Sequence, residues 1–174
     1  SERSFFADFV FRSPKKATGK SQKEITDVLL WFDDLLIAVE VKAMGGEEIN
    51  EDAIKPWAQK RIKKALKQIN GAKRFLFKNT GTALLSNERR GKIEFSAVDT
   101  TEFHGLVVLD HPPVDYHPSE LVPEISDVDF PLHIMTLIDY RNACAEFTTV
   151  PDFLDYLVNR QQLLKGQPVE VGRE

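Results

Sequence analysis

An α/β domain built on a mixed sheet flanked by helices is what this chain predicts, and three observations predict it. Two apolar runs rich in Val, Ile, Leu and aromatics meet at Asp33-Asp34, each too short for a helix. Residues 53–71 then show the helical period of about 3.6 residues. Further strand-like and helix-like runs alternate to the end of the chain. With 42% hydrophobic and 29% charged residues the composition is that of a globular protein. No apolar run reaches the length of a membrane span, so the reading has no membrane partner. The 174 residues suffice for a single well-buried domain, residues 1–174. A lone cysteine, Cys144, cannot form an internal disulfide, which fits a cytoplasmic location. The start at Ser1 is what a trimmed piece of a longer chain would show.

Taken in order, Phe5 to Arg12 reads as a strand or the end of a helix, and Ser13 to Lys23 as a polar loop. The next two strands join in a tight turn at Asp33-Asp34. Phe32 then opposes Leu35, Trp31 opposes Leu36, and the ladder continues until Asp27 faces Glu40. Met44-Gly45-Gly46 breaks the second strand, and an acidic link with Glu47, Glu48, Glu51 and Asp52 leads to a helix. Ala58, Ile62, Ala65, Ile69 and Ala72 form its apolar stripe, and Gly71 suits its end. Arg74 to Phe77 is expected as a short strand, placed by the crossover parallel to the one carrying Glu40. The core is thus about residues 5–78, and residues 79–174 are elaboration. Ala83 to Glu88 is expected to be helical, with strands at Ile93 to Val98 and Leu106 to Leu109. His111 to Phe130, with Pro112, Pro113, Pro118 and Pro123, reads as a long surface loop. His104, His111 and His117 lack the spacing of a zinc site. Leu132 to Met135 reads as a strand. Two helices follow, Leu137 to Phe147 and about 150–165, opened by Thr136/Asp139 and Thr149/Asp152 in capping-box spacing and closed by Gly166 and Pro168. They are expected to pack on the sheet or form a homodimer surface.

The strand register carries the chemistry. Opposed residues on an antiparallel pair have Cβ atoms about 5 Å apart on one face, so Asp27 and Glu40 lie side by side. Lys42 follows on that face, while Val28, Leu30, Phe32, Ile37, Val39 and Val41 make a core face on the other. Paired carboxylates in apolar surroundings need compensation, which a divalent cation supplies. Magnesium takes oxygen ligands from one or two carboxylates, and Asp27, Glu40 and the Val41 carbonyl offer such a set, with manganese as the expected substitute. Lys42 would then help orient or deprotonate the attacking water. Taken alone, Glu40-Val41-Lys42 is more often a solvated strand face, with Asp27 and Lys42 in a diagonal ion pair.

Asp27 followed by Glu40-Val41-Lys42 resembles the D…(D/E)-x-K signature of the PD-(D/E)XK nuclease superfamily, with Thr26 where the family pattern has Pro. The resemblance implies a restriction-endonuclease-like core of αβββαβ order, here with a C-terminal strand and helical elaboration. It also implies magnesium-dependent hydrolysis of DNA phosphodiesters, with Asp27 and Glu40 as metal ligands and Lys42 as the catalytic lysine. Similar nucleases carry a Gln or Lys on the helix after the motif, and Gln68 is the positional match, with Gln59 as a secondary candidate; Glu24, three residues before Asp27, is a secondary candidate for a third metal ligand, although alternation puts it on the other face. Some members keep the fold and lose the chemistry, so a catalytically inactive module for nucleic-acid or protein binding is the alternative.

The net charge of -4 hides a division. Residues 53–87 contain nine Lys and Arg and no acid, whereas residues 94–155 contain thirteen acids against Arg141 alone. Such asymmetry allows a nucleic-acid surface on an acidic protein. Arg61 and Lys64 on the helix shoulder, with Lys20 and Lys23 in the loop before Asp27, are the expected nucleic-acid contacts. The acidic C-terminal half is the expected place for a protein partner.

Overall fold

The computed structural model describes residues 5–16, 23–45, 51–78, 82–112, 128–147 and 149–164. Lys20, Glu47, Glu48, His117, Gly166 and Pro168 lie outside these residues, as does most of the proline-rich stretch. A 3-10 turn at Phe5–Asp8 leads into β1 (Val10–Arg12) and β2 (Lys15–Lys16), then β3 (Val28–Phe32) and β4 (Leu35–Ala43). Helix α1 (Glu51–Lys78) is followed by β5 (Ala83–Asn87), β6 (Gly91–Phe95), β7 (Glu102–Asp110) and β8 (Leu132–Thr136). Helices α2 (Leu137–Glu146) and α3 (Val150–Leu164) come last.

The main sheet has the order β1-β3-β4-β7-β8, antiparallel on the β1 side and parallel on the β8 side, so it is mixed as the sequence predicts. Its central strands are apolar on both faces because helices cover both. Leu29, Leu36, Ala38, Val107 and Leu109 pack with Ile62, Ala65 and Ile69 of α1. Leu30, Ile37, Val39, Leu106 and Val108 pack with Ala143 of α2 and with Phe153 and Leu157 of α3. Each such aliphatic or aromatic side chain contributes about 1.5–3 kcal/mol on leaving water. The final two helices therefore pack on the sheet, their starts capped by Thr136 and Thr149 as the spacing predicts.

The β3–β4 register is the expected one from Phe32 opposite Leu35 to Val28 opposite Val39, but it stops there, one pair short of the expected Asp27–Glu40. Asp33 occupies the turn with φ 53°, a left-handed value that Asp tolerates. Asp34 ties this turn to the start of β7, its carbonyl accepting from Thr101 N at 3.0 Å and Glu102 N at 3.2 Å and its carboxylate accepting from the Thr101 hydroxyl.

Four expectations are corrected. Residues 74–77 are not a strand: α1 runs on through them, because Phe75 and Leu76 extend the buried stripe that ends at Ala72 by three and four residues. Gly71 sits inside the helix, where its cost of about 1 kcal/mol is outweighed by that packing. The parallel neighbour of β4 is instead β7, paired from Leu35–Glu102 to Ala43–Asp110. Residues 83–87 are extended rather than helical. Asn87 accepts from the amides of Arg89 and Arg90 and Gly91 takes φ 70°, which closes a β5–β6 hairpin. That hairpin joins β2 in a second sheet covering the β1–β3 end of the core, with Phe95 edge-on to Trp31 and Arg90 over the Trp31 ring.

The outer edge of β8 is blunted by α3, whose Arg160 donates to the Ile134 carbonyl at 2.8 Å and Gln161 to the Leu132 carbonyl at 3.4 Å. Among the described residues no helix is long and apolar enough to cross a membrane.

Candidate functional site

Strand β3 starts at Val28, so its pairing stops at Val39 and residues 40–43 of β4 have no strand partner on that side, and this local mismatch builds the site. Beyond Val28 opposite Val39 no strand residue takes the Val41 amide. The Asp27 carboxylate takes it instead, Oδ2 accepting from Val41 N at 2.7 Å. Asp27 is held from behind by Ser13, whose amide donates to its carbonyl at 2.9 Å. A strand residue turns its amide and carbonyl to the same side, so the Val41 carbonyl also faces the gap beside Asp27. Val41 is 39% exposed, which corrects its placement on a core face.

Glu40 points the other way, under α1, and is fully buried. Its Oε2 accepts from Lys42 Nζ at 2.6 Å, and the same ammonium reaches Asp27 Oδ2 at 3.4 Å. Burial holds the Glu40 carboxyl above its usual range, opposed by the Lys42 hydrogen bond and reinforced by the neighbouring Asp27 charge. Thr26 Oγ1 lies 2.9 Å from the Val39 carbonyl and 3.1 Å from Glu40 Oε1. One hydroxyl proton serves one acceptor at a time, so Glu40 Oε1 is a buried oxygen with at best a shared donor. Asp27 uses Oδ2 for both its contacts. The remaining oxygens, Glu40 Oε1, Asp27 Oδ1 and the Val41 carbonyl, are of the hard-donor type that magnesium or manganese prefers. Among the described residues no group of three or more His, Cys, Asp or Glu gathers as a metal cluster. A magnesium site with two carboxylates and several waters does not need one.

The position of α1 follows from its contacts. Trp57 meets His111 just after β7, and Lys73 Nζ lies 5.8 Å from the Phe103 ring near the start of β7, so α1 runs antiparallel to β4 and β7. Ile69 lies over Gly105, which pairs with Ala38. Two residues along β4 from Ala38 is Glu40, about 7 Å away, or between four and five residues of helix, which places it level with about Ala65. One shoulder of α1 carries Lys73 and Phe77, and Phe77 meets Phe103 on β7. The opposite shoulder carries Trp57, Arg61, Lys64, Gln68 and Phe75, and Lys16 of β2 lies 4.5 Å over the Phe75 ring. That second shoulder therefore faces the β3 side, with Arg61 near the level of Lys42 and Gln68 about 4.5 Å of helix past the level of Glu40. Among the described residues Arg61 Nε and Gln68 Oε1 are both buried without a hydrogen-bond partner.

Of the remaining sequence candidates, Lys64 and Lys23 are exposed, Gln59 lies on the outer side of α1, and Lys20 lies outside the described residues. Glu24 is exposed in an isolated bridge with Lys15, away from the carboxylate pair. His104 bonds His133 at 3.0 Å and Glu102 at 2.6 Å on the far side of the sheet. The sequence reading missed Thr26, taken only as a departure from the family's Pro; its signal was a hydroxyl beside the motif acid. No family model matches the chain, and neither curated proteins nor solved structures provide a match.

Proposed function

We propose that the chain is a magnesium-dependent nuclease of restriction-endonuclease type that hydrolyses DNA phosphodiesters. The observation that carries this reading is the convergence of Asp27, Glu40 and Lys42 at the end of β4, one carboxylate fully buried and the ammonium between the two. Asp27, Glu40 and the Val41 carbonyl would hold the ion. When bound, magnesium would neutralise charge developing on the phosphate oxygens. Lys42, freed from the carboxylates, donates from Nζ to the attacking water or the phosphate. Gln68 Oε1 accepts a hydrogen bond from that water, and Arg61 Nε donates to a non-bridging oxygen, which satisfies both orphaned atoms. Water oxygen bonds to phosphorus and releases one proton to solvent, the ester P–O bond breaks, and the leaving oxygen takes up one proton from solvent, so none is gained or lost overall. Incubation of linear, nicked and branched DNA with magnesium or manganese tests this: cleavage by the wild type and none by Asp27→Ala or Lys42→Ala supports it, and intact DNA under all conditions rejects it.

A second reading, a non-catalytic binding module of the same architecture, is favoured by one feature. Lys42 already compensates one of the two carboxylate charges without a metal. Such a module would bind DNA or a protein partner and show no metal-dependent stabilisation.

A further inference from the structure

We infer that the outward face of α1 is a phosphate track carrying a DNA strand to the carboxylate site, so that the substrate is a polynucleotide gripped over several phosphates rather than a small phosphodiester. The identity of the polymer rests on the nuclease reading above. Lys60, Lys63, Lys64 and Lys67 line a shallow groove with Pro56 and Gln59, and all four lysines are exposed. Their spacing puts them on one stripe, where neighbours three and four residues apart repel. Solvated basic helix faces ordinarily interleave acids at that spacing, yet residues 53–87 contain none. Among the described residues none of the four lysines forms an ion pair with a carboxylate. Four uncompensated charges in a row favour an external polyanion.

The geometry fits a nucleic-acid strand. From Lys60 to Lys67 is about 10 Å of helix, the axial rise of about three nucleotides. Lys64 lies between this stripe and the shoulder bearing Arg61 and Gln68. Positive charge thus continues around about a third of the helix circumference, from solvent to the lip of the site. Where the track meets the site lies Arg61, whose buried Nε lacks an acceptor. A phosphate oxygen supplies one.

The test is equilibrium binding of a short labelled DNA duplex in EDTA over a series of salt concentrations. The wild type is compared with the triple variant Lys60→Ala, Lys63→Ala, Lys67→Ala and the matching Lys→Arg triple. The alanine variant should lower the slope of log affinity against log salt by about 2–3 and weaken binding at least about tenfold near 0.1 M salt, and the arginine variant should restore both. An unchanged slope in the alanine variant overturns the track, as does a wild type that does not bind duplex at all. Because EDTA prevents metal-dependent cleavage, the two readings fail separately. Salt-dependent binding lost in the alanine triple, from a wild type that never cuts, sinks only the nuclease reading. Cleavage together with an unaltered slope in the alanine triple sinks only the track.

Discussion

Lys42 donates to Glu40 across 2.6 Å, at a carboxylate with no exposed surface and a lysine side chain only 11% exposed. Deleting one partner of a buried pair leaves the other uncompensated, a loss of about 3–5 kcal/mol unless the survivor neutralises. Glu40 can take up a proton, so the Lys42→Ala cost should fall below that range, to about 1–3 kcal/mol near neutral pH. Urea unfolding measures it. Adding Glu40→Gln to Lys42→Ala should recover part of the loss, and strict additivity of the two changes would show that the contact is not made.

Glu40 also dictates a pH dependence. Its folded pKa is raised, first by burial, so the protonated form is favoured in the native state. The associated stability is fully present below the ordinary value of 4.5 and is lost as pH rises through the higher folded value. In EDTA, the stability difference between wild type and Glu40→Gln should therefore move against the wild type on going from pH 4.5 towards neutrality. Chemical denaturation at stepped pH values checks this, and a difference that stays flat counts against a buried, ionisable Glu40.

A divalent ion should reverse that trend, because it binds the deprotonated carboxylates. At one hundred times its dissociation constant a ligand stabilises the native state by about 2.7 kcal/mol. For a domain of this size that is a rise in melting temperature of roughly 5–10 °C. Magnesium or manganese should produce such a rise, larger at pH 8 than at pH 6, in the wild type and not in Asp27→Ala. Equal shifts in both proteins would place the ion elsewhere.

Local rules made the site legible while long-range pairing stayed hidden. The Asp33-Asp34 turn sets the register from Phe32–Leu35 to Val28–Val39, but the ladder stops one pair short of Asp27 and Glu40, which meet only through Lys42, and Thr136 and Thr149 announce their helices. Nothing local says that α1 continues past Gly71. Its terminal residues Arg74 to Phe77 satisfy a strand pattern as well as a helical one, and only burial against the sheet decides. The true parallel neighbour β7 is separated from β4 by α1 and a hairpin, a pairing that no short-range pattern encodes. The diagonal Lys42–Asp27 pair was foreseen as the alternative to a metal site, but the shorter Lys42–Glu40 contact was not. Alternation puts Glu40 and Lys42 on one face but does not say that the lysine folds back on its neighbour.

Gly105 links that hidden pairing to the site. A Cβ built there would lie 2.7 Å from Phe130 Cε2, 3.1 Å from Ile69 Cγ2 and 3.2 Å from Leu132 Cδ1. No real Cβ tolerates the first distance, and Phe130 is itself confined by edge-on contact with Phe103 and by Lys73 over its ring. Gly105→Ala should therefore cost about 1–3 kcal/mol, the usual range for overpacking a close-packed core. Ile69 precedes the turn that places Phe75 and follows directly on Gln68, so relief by pushing α1 outward would also carry Gln68 away from Glu40. Gly105→Ala should then lose DNA cleavage under conditions where the variant remains folded, while Phe130→Leu in the same chain should restore stability by making room. Wild-type stability and cleavage in Gly105→Ala alone would mean that α1 does not sit this close to β7.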